Sequence, residues 1–147
     1  MIVKAVISDA EKLSEIAMQS KAVWGYSNDG LETWREDLTI TPKIFDENYI
    51  CKYVLDSKIV GFYVLNNSNL DVYILEFLFI DPNYIEKGIG HELLLNAIAI
   101  SKKAKRLQVL SDPNAEAFYT KYGFKVIDNI KSSIPGRLLP KMELQLR

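Results

Sequence analysis

An almost unbroken apolar run, Val72 to Ile80, predicts a strand that is buried on both faces. Glu76 is the one charged residue within that run. A polar loop and the turn Gly88-Ile89-Gly90 follow, and apolar residues at helical spacing then predict a helix that reaches about Lys103. The next short strand is expected at Arg106–Leu110, so this strand–helix–strand unit predicts a parallel pair with a right-handed crossover.

The pattern elsewhere predicts two helices near the N-terminus, a third after residue 111, and five more strands. Ser8 and Glu11 form a capping-box pairing that starts the first helix, and Thr41-Pro42 ends the second. Asp112-Pro113 opens the later helix and Gly123 closes it. The five strands are expected at Met1–Ile7, Tyr49–Leu55, Lys58–Leu65, Phe124–Asn129 and Lys141–Leu146.

These elements predict one α/β domain that spans residues 1–147. Only Asp56-Ser57 separates two of the strands, which therefore form an antiparallel hairpin. The hairpin and the parallel unit together predict a mixed, largely antiparallel sheet with helices on both faces.

Composition narrows the class of protein without identifying it. The net charge of -1 argues against a nucleic-acid partner bound through a general basic field. Cys51 is the single cysteine, so no internal disulfide forms, and we expect no metal site. The N-terminus lacks the apolar core of a secretion signal, and no apolar run approaches the roughly 20 residues of a membrane span. The expectation is a cytoplasmic protein without a membrane partner.

The turn Gly88-Ile89-Gly90 is the first feature that points to chemistry. Leu93 occupies the third glycine position of a dinucleotide-binding fingerprint, and no Gly-Lys-Ser/Thr follows as in a Walker A loop. A Gly-x-Gly at a strand-to-helix junction still lets backbone N–H groups approach a phosphate, and Lys87 would add positive charge. The alternative is a tight turn with no ligand.

Glu76 is the second such feature, because it is the only carboxylate of an apolar strand. A buried carboxylate has a raised pKa, which suits it to act as a general base. The equally supported alternative is a structural carboxylate paired with Lys, Arg or backbone donors.

Two segments of the chain resemble motifs A and B of the GNAT superfamily of N-acetyltransferases. The first is the strand and glycine turn described above. The second is Pro113-Asn114-Ala115-Glu116-Ala117-Phe118-Tyr119, followed by Lys121-Tyr122-Gly123-Phe124. Two further segments are similar to those of one GNAT subgroup: Ser20-Lys21-Ala22-Val23-Trp24-Gly25-Tyr26 and the run from Ser133 to Met142 that contains Pro135-Gly136-Arg137. The resemblance covers nearly the whole chain and implies the acyl-CoA N-acyltransferase fold.

The resemblance implies acetyl-CoA as co-substrate and assigns residues to it. Its pyrophosphate would lie on the turn formed by Lys87, Gly88, Ile89, Gly90 and His91. The strand end formed by Leu78, Phe79 and Ile80 would flank the thioester, with backbone N–H groups near Leu78 and Ile80 polarising its carbonyl. Asn114 would contact the pantetheine arm, although a helix N-cap is its alternative role.

Tyr119 takes the position of the family's general acid toward the CoA sulfur, although a tyrosine packed on its helix is the alternative role. Tyr122, three residues later, is the tyrosine most easily mistaken for that acid. Trp24, Tyr26 and Arg137 would form the acceptor side. For the two aromatic residues the alternative is core packing, and for Arg137 it is bracing of its own loop. His91, the only histidine, is expected beside the phosphates or in solvent rather than as a base.

The implied reaction is transfer of an acetyl group to a primary amine, carried by a small molecule or a peptide, through direct attack. One position departs from the family's Arg/Gln-x-x-Gly-x-Gly/Ala signature, because Ile85 occupies the first place. That departure keeps open a non-catalytic GNAT domain that binds an acyl-CoA as a sensor. The last two strands leave open a homodimer.

Overall fold

The computed structural model describes residues 1–22, 38–85, 87–132 and 136–147. Four α-helices lie within these ranges: α1 Ala10–Ala22, α2 Pro42–Glu47, α3 Ile89–Ser101 and α4 Glu116–Lys121. Seven strands are β1 Ile2–Lys4, β2 Tyr49–Leu55, β3 Lys58–Asn66, β4 Val72–Ile80, β5 Arg106–Leu110, β6 Lys125–Lys131 and β7 Leu138–Gln145. Short 3₁₀ turns precede α1, α3 and α4.

The seven strands form one sheet in the order β1-β2-β3-β4-β5-β7-β6. Only β4 and β5 pair in parallel, while every other neighbouring pair is antiparallel. Helix α1 packs on one face through Leu13 and Ile16, and α3 packs on the other through Leu93 and Leu94. The mixed, largely antiparallel sheet with helices on both faces is therefore confirmed.

The β2–β3 hairpin is confirmed at the positions expected from the sequence. Asp56 and Ser57 have φ angles of 50° and 65°, the left-handed conformation that a two-residue turn of type I′ requires at both positions. The twist of that turn matches the twist of the strands, so it fixes the register Leu55↔Lys58.

One expected helix start is wrong. Ser8 lies inside a 3₁₀ turn, Ile7–Asp9, whose N-cap is Val6 and whose Asp9 Oδ2 accepts from the Val6 N–H at 2.9 Å, and α1 begins at Ala10.

Leu38 is helical whereas Thr39 and Ile40 are not, so a helix ends before Thr41-Pro42 as expected, although most of that helix lies outside the described residues. Thr41 also starts a helix that the sequence pattern did not predict, since its Oγ1 accepts from the Ile44 N–H at 3.3 Å at the N-terminus of α2. Proline fits the first turn of a helix, where its missing N–H has no intrahelical acceptor.

Strand β4 has the expected bounds, but it is not buried on both faces. Tyr73 and Leu75 are buried, whereas Glu76 is exposed. A β-bulge explains the difference, since Leu75 pairs with Leu65 and Phe77 pairs with Val64, which leaves Glu76 as the extra residue.

The bulge also changes which residues of β4 face each layer. Before it, Tyr73 and Leu75 belong to the core under α3; after it, Leu78 and Ile80 pack against that core, while Phe77 and Phe79 pack under α1. None of the helices within the described ranges is long and apolar enough to cross a membrane.

Candidate active site

Strands β4 and β5 separate at the bulge and leave a gap in the sheet. Their parallel pairing runs from Val72↔Arg106 to Leu75↔Val109 and goes no further. Strand β4 nevertheless continues to Ile80. The chain after β5 stays paired with β7 alone, since the Ser111 N–H donates to the Pro140 carbonyl at 2.9 Å. We call the space beside residues 76–80 the β4–β5 gap.

The backbone of β4 turns polar groups into this gap. The Asp81 N–H donates to the Val60 carbonyl on β3 at 2.8 Å. Hydrogen bonding to one neighbour alternates along an antiparallel strand, so Phe79 also bonds to β3 while Leu78 and Ile80 turn their N–H and C=O groups toward the gap. The N–H groups of Leu78 and Ile80 therefore face the gap, and their role at a thioester carbonyl stays a prediction.

The glycine turn forms the N-terminus of α3 at the end of β4. Gly88 is the N-cap with a φ of 78°, a conformation that residues with a Cβ rarely adopt. The Glu92 N–H makes the first intrahelical bond, to the Gly88 carbonyl at 3.1 Å. The N–H groups of Ile89, Gly90 and His91 consequently have no acceptor within the helix and favour an anion.

Three elements meet at Gly90. A Cβ atom there would lie 3.7 Å from Ile80 Cδ1 and 3.7 Å from Phe118 Cζ. The end of β4, the start of α3 and helix α4 thus converge on one place. Lys87, at the turn, is exposed.

Tyr119 lies in the core beside this convergence and is 5% exposed. Its ring makes edge contacts with Phe118 and Phe124, at centroid distances of 5.2 Å and 5.4 Å. Burial raises the pKa of the Tyr119 phenol well above its ordinary value, and the negative charge of Asp112 raises it further. The phenol therefore stays protonated and can donate a hydrogen bond.

Asp112 is a residue that the sequence reasoning treated only as part of a helix start. It caps the turn before α4, since its Oδ1 accepts from the Asn114 backbone N–H at 2.9 Å and from Asn114 Nδ2 at 3.0 Å. Its Oδ2 accepts from Lys21 Nζ at 2.9 Å and from Arg137 Nη2 at 2.7 Å. Lys21 and Arg137 come from the two subgroup segments, so Asp112 brings three motifs together.

Burial alone would raise the pKa of Asp112, but Lys21, the Asn114 N–H and Arg137 outweigh it and lower this pKa to about 2. The unfolded carboxyl titrates near 3.8, so Asp112 stabilises the fold above that pH and the stabilisation is lost as pH falls through 2.

Between pH 4 and pH 2, we expect the free energy of unfolding of the parent to fall by about 2 kcal/mol more than that of Asp112→Asn, because the variant lacks the carboxyl that titrates. Urea unfolding at several pH values measures it; an unchanged slope would contradict the assignment.

Asn114 does not take its alternative role as a helix N-cap, whereas His91 lies in an exposed position as expected. Asn114 is exposed and sits one residue inside the turn, so Asp112 rather than Asn114 is the cap. His91 is exposed, and its Nδ1 is hydrogen-bonded to the Tyr122 hydroxyl, with the two rings 5.5 Å apart.

Glu76 is exposed at the start of the β4–β5 gap, so the burial on which the argument for a base depended is absent. Asn66 Nδ2 donates to Glu76 Oε1 at 3.4 Å, and within the described ranges the carboxylate forms no ion pair. The alternative of a carboxylate braced by Lys or Arg thus finds no partner in the described part of the chain. Trp24 and Tyr26 lie outside the described residues.

The family model for an acetyltransferase (GNAT) domain matches residues 13–146. The chain belongs to the GNAT acetyltransferase family. The match includes β2–β7 together with the glycine turn, Asp112 and Tyr119, so the β4–β5 gap of this GNAT protein lies within the matched domain. A search of curated protein sequences gave no match.

Solved structures of GNAT proteins are similar over almost the whole chain. The PaiA N-acetyltransferase of Thermoplasma acidophilum, solved in complex with coenzyme A, is 27% identical, with 99% of this chain and 98% of that chain covered and a TM-score of 0.79. A GCN5-related N-acetyltransferase from Rhodopseudomonas palustris is 22% identical, covers 99% and 95%, and has a TM-score of 0.82. These likenesses agree with the acyl-CoA N-acyltransferase fold.

Proposed function

We propose that this GNAT protein transfers an acetyl group from acetyl-CoA to a primary amine by direct attack. The observation that carries the proposal is the β4–β5 gap, with inward-facing backbone groups of Leu78 and Ile80 and the N-terminus of α3 at its end. The extended thioester arm of acetyl-CoA would lie along the part of β4 that is no longer paired with β5, and its pyrophosphate would lie at the N-terminus of α3. The coenzyme A complex of the similar Thermoplasma protein supports the same ligand.

Different residues would bind different parts of acetyl-CoA. The N–H groups of Ile89, Gly90 and His91, with Lys87, would bind the pyrophosphate. Leu78, Phe79 and Ile80 would flank the thioester, and Asn114 would contact the pantetheine arm. Ile85 is 47% exposed at the edge of the turn, so the anion contacts would come from the backbone rather than from that side chain.

In the reaction, the nitrogen of the neutral amine attacks the thioester carbonyl carbon, and the N–H groups of Leu78 and Ile80 stabilise the oxygen as negative charge develops on it. The C–S bond then breaks. Tyr119 gives its proton to the leaving thiolate and regains one from solvent, while Glu76, directly or through water, takes the proton that the amine loses. The products are an acetylated amine and the free thiol of coenzyme A.

The acceptor would be a small-molecule or peptide amine, with Arg137, Trp24 and Tyr26 as the residues proposed to bind it. We further propose a cytoplasmic protein with no nucleic-acid or membrane partner. Pairing of the edge strand β6 with a second copy would give a homodimer, which sedimentation would detect. All seven residues of β6 are exposed, which supports that arrangement.

The proposal is tested by thiol release from acetyl-CoA across a panel of polyamines, amino acids, aminoglycosides and peptides with free N-termini. We expect at least one amine to raise thiol release, with the acetylated product identified by mass spectrometry. Calorimetry with coenzyme A is run in parallel. Binding of coenzyme A without any amine-dependent thiol release would instead establish the non-catalytic sensor, and absence of binding would refute the site itself.

A further inference from the structure

We propose that Asp112 is a positioning residue that joins the cofactor side of the β4–β5 gap to its acceptor side. The inference rests on the proposed function, because it assigns roles within the same site. It concerns the carboxylate of Asp112 and three partners among the described residues, Asn114, Lys21 and Arg137, which we call the Asp112 cluster.

The two oxygens of Asp112 have different partners. Oδ1 holds Asn114 through both its backbone N–H and its side-chain amide, at 2.9 Å and 3.0 Å. Oδ2 holds Lys21 and Arg137, at 2.9 Å and 2.7 Å. Oδ1 therefore orients Asn114, which is proposed to contact pantetheine, and Oδ2 fixes the two basic side chains on the acceptor side of the gap.

The Asp112 cluster ties separate elements across the gap. Lys21 lies in the last turn of α1, and its Nζ is 5.9 Å from the ring centroid of Phe79 on β4. Arg137 lies immediately before β7, and Asp112 follows β5 by two residues. The cluster thus links the end of α1 over β4 to the ends of β5 and β7, on both sides of the place where the sheet separates.

The cluster is largely shielded from water, which makes it geometrically demanding. The side chains of Asp112, Arg137 and Lys21 are 11%, 15% and 17% exposed. Charge-assisted hydrogen bonds in such surroundings hold side chains in narrow orientations. Displacement of a reacting group by about 1 Å can cost about 100-fold in rate, so these contacts bear directly on catalysis.

The chain contains a matched ion pair that has no connection to the gap. Asp9 accepts from Lys52 at 2.8 Å, with side-chain exposures of 13% and 17%, and it also caps a turn. Asp9 immediately precedes α1 and Lys21 lies in its last turn, so about 18 Å of helix axis separates them. Loss of the Asp9–Lys52 pair therefore measures what an ion pair of this kind contributes to stability alone.

The test compares variants with the amine that gives the highest thiol release in the panel. Lys21→Met and Arg137→Met should each raise the KM for that amine, or lower kcat, by about tenfold or more, and leave the Kd for coenzyme A within about twofold. Asn114→Ala should weaken coenzyme A binding by about two- to tenfold with little change in the amine KM. Asp112→Ala should show both effects, and Arg137→Lys should recover part of the Arg137→Met loss.

Lys52→Met is the control: it should lower the Tm about as much as Lys21→Met and leave kcat, the amine KM and the coenzyme A Kd unchanged. If Lys21→Met and Arg137→Met lower the Tm but change neither kcat nor KM, the Asp112 cluster is only structural and the inference is overturned. The same holds if every variant changes the two affinities in parallel. Failure of all amines with the parent protein would overturn the proposed function instead, which keeps the two failures distinct.

Discussion

Tyr119→Phe is expected to lower kcat for amine-dependent thiol release by about 100-fold or more, because it removes the only proton that this side chain can give to the leaving thiolate. The ring is 5% exposed and packs between Phe118 and Phe124, and phenylalanine keeps those contacts. The fold and the affinity for coenzyme A should therefore persist, and the loss should fall on kcat. Stopped assays of thiol release with saturating amine measure it.

Tyr122→Phe is the matched control, because it removes a phenol three residues away whose hydroxyl is bonded to His91. It should leave kcat within about threefold, because this partly buried phenol hydrogen-bonds to His91 and phenylalanine keeps the packing of its ring. The raised pKa of Tyr119 adds a second condition: the parent should show no loss of kcat from ionisation of this phenol up to about pH 10, the ordinary value for tyrosine. Full activity of Tyr119→Phe would show that solvent or another group protonates the thiolate.

The parts of the fold that depend on local sequence could be predicted. The bounds of β4 follow from one apolar run, and the β2–β3 hairpin follows from a two-residue connection between two strand patterns. The helical turn that opens at Asp112-Pro113 likewise depends on neighbours along the chain. In each case the interactions that decide the structure lie within a few residues.

The features that could not be predicted depend on residues far apart in sequence. The bulge at Glu76 is a matter of register between β3 and β4, which the pattern of β4 alone does not contain. Lys21 and Arg137 reach Asp112 from 91 and 25 residues away, so the motifs named these residues without indicating that they bind one carboxylate. Tertiary pairing, rather than propensity, determines these parts of the site.

The same bulge changes the argument for Glu76. Because Glu76 is exposed, the argument that it acts as a base rests on its position. It is the extra residue at the point where β4 and β5 separate. In the proposed reaction the attacking amine would lose its proton near that point, and a water between the two groups would carry it. A solvated carboxylate also exchanges its proton readily with bulk water after each turnover.

Glu76→Gln is therefore expected to lower kcat/KM for the amine by about 100-fold, because the amide keeps the size of the side chain but cannot accept a proton. Its stability should change by no more than about 0.5 kcal/mol, as for other exposed substitutions. Asn66→Ala removes the hydrogen-bond donor to Glu76 and serves as the control, with an expected change in kcat/KM below about threefold. If Glu76→Gln retained the kcat/KM of the parent, the amine would have to lose its proton to water alone, and β4 would contribute only its backbone to catalysis.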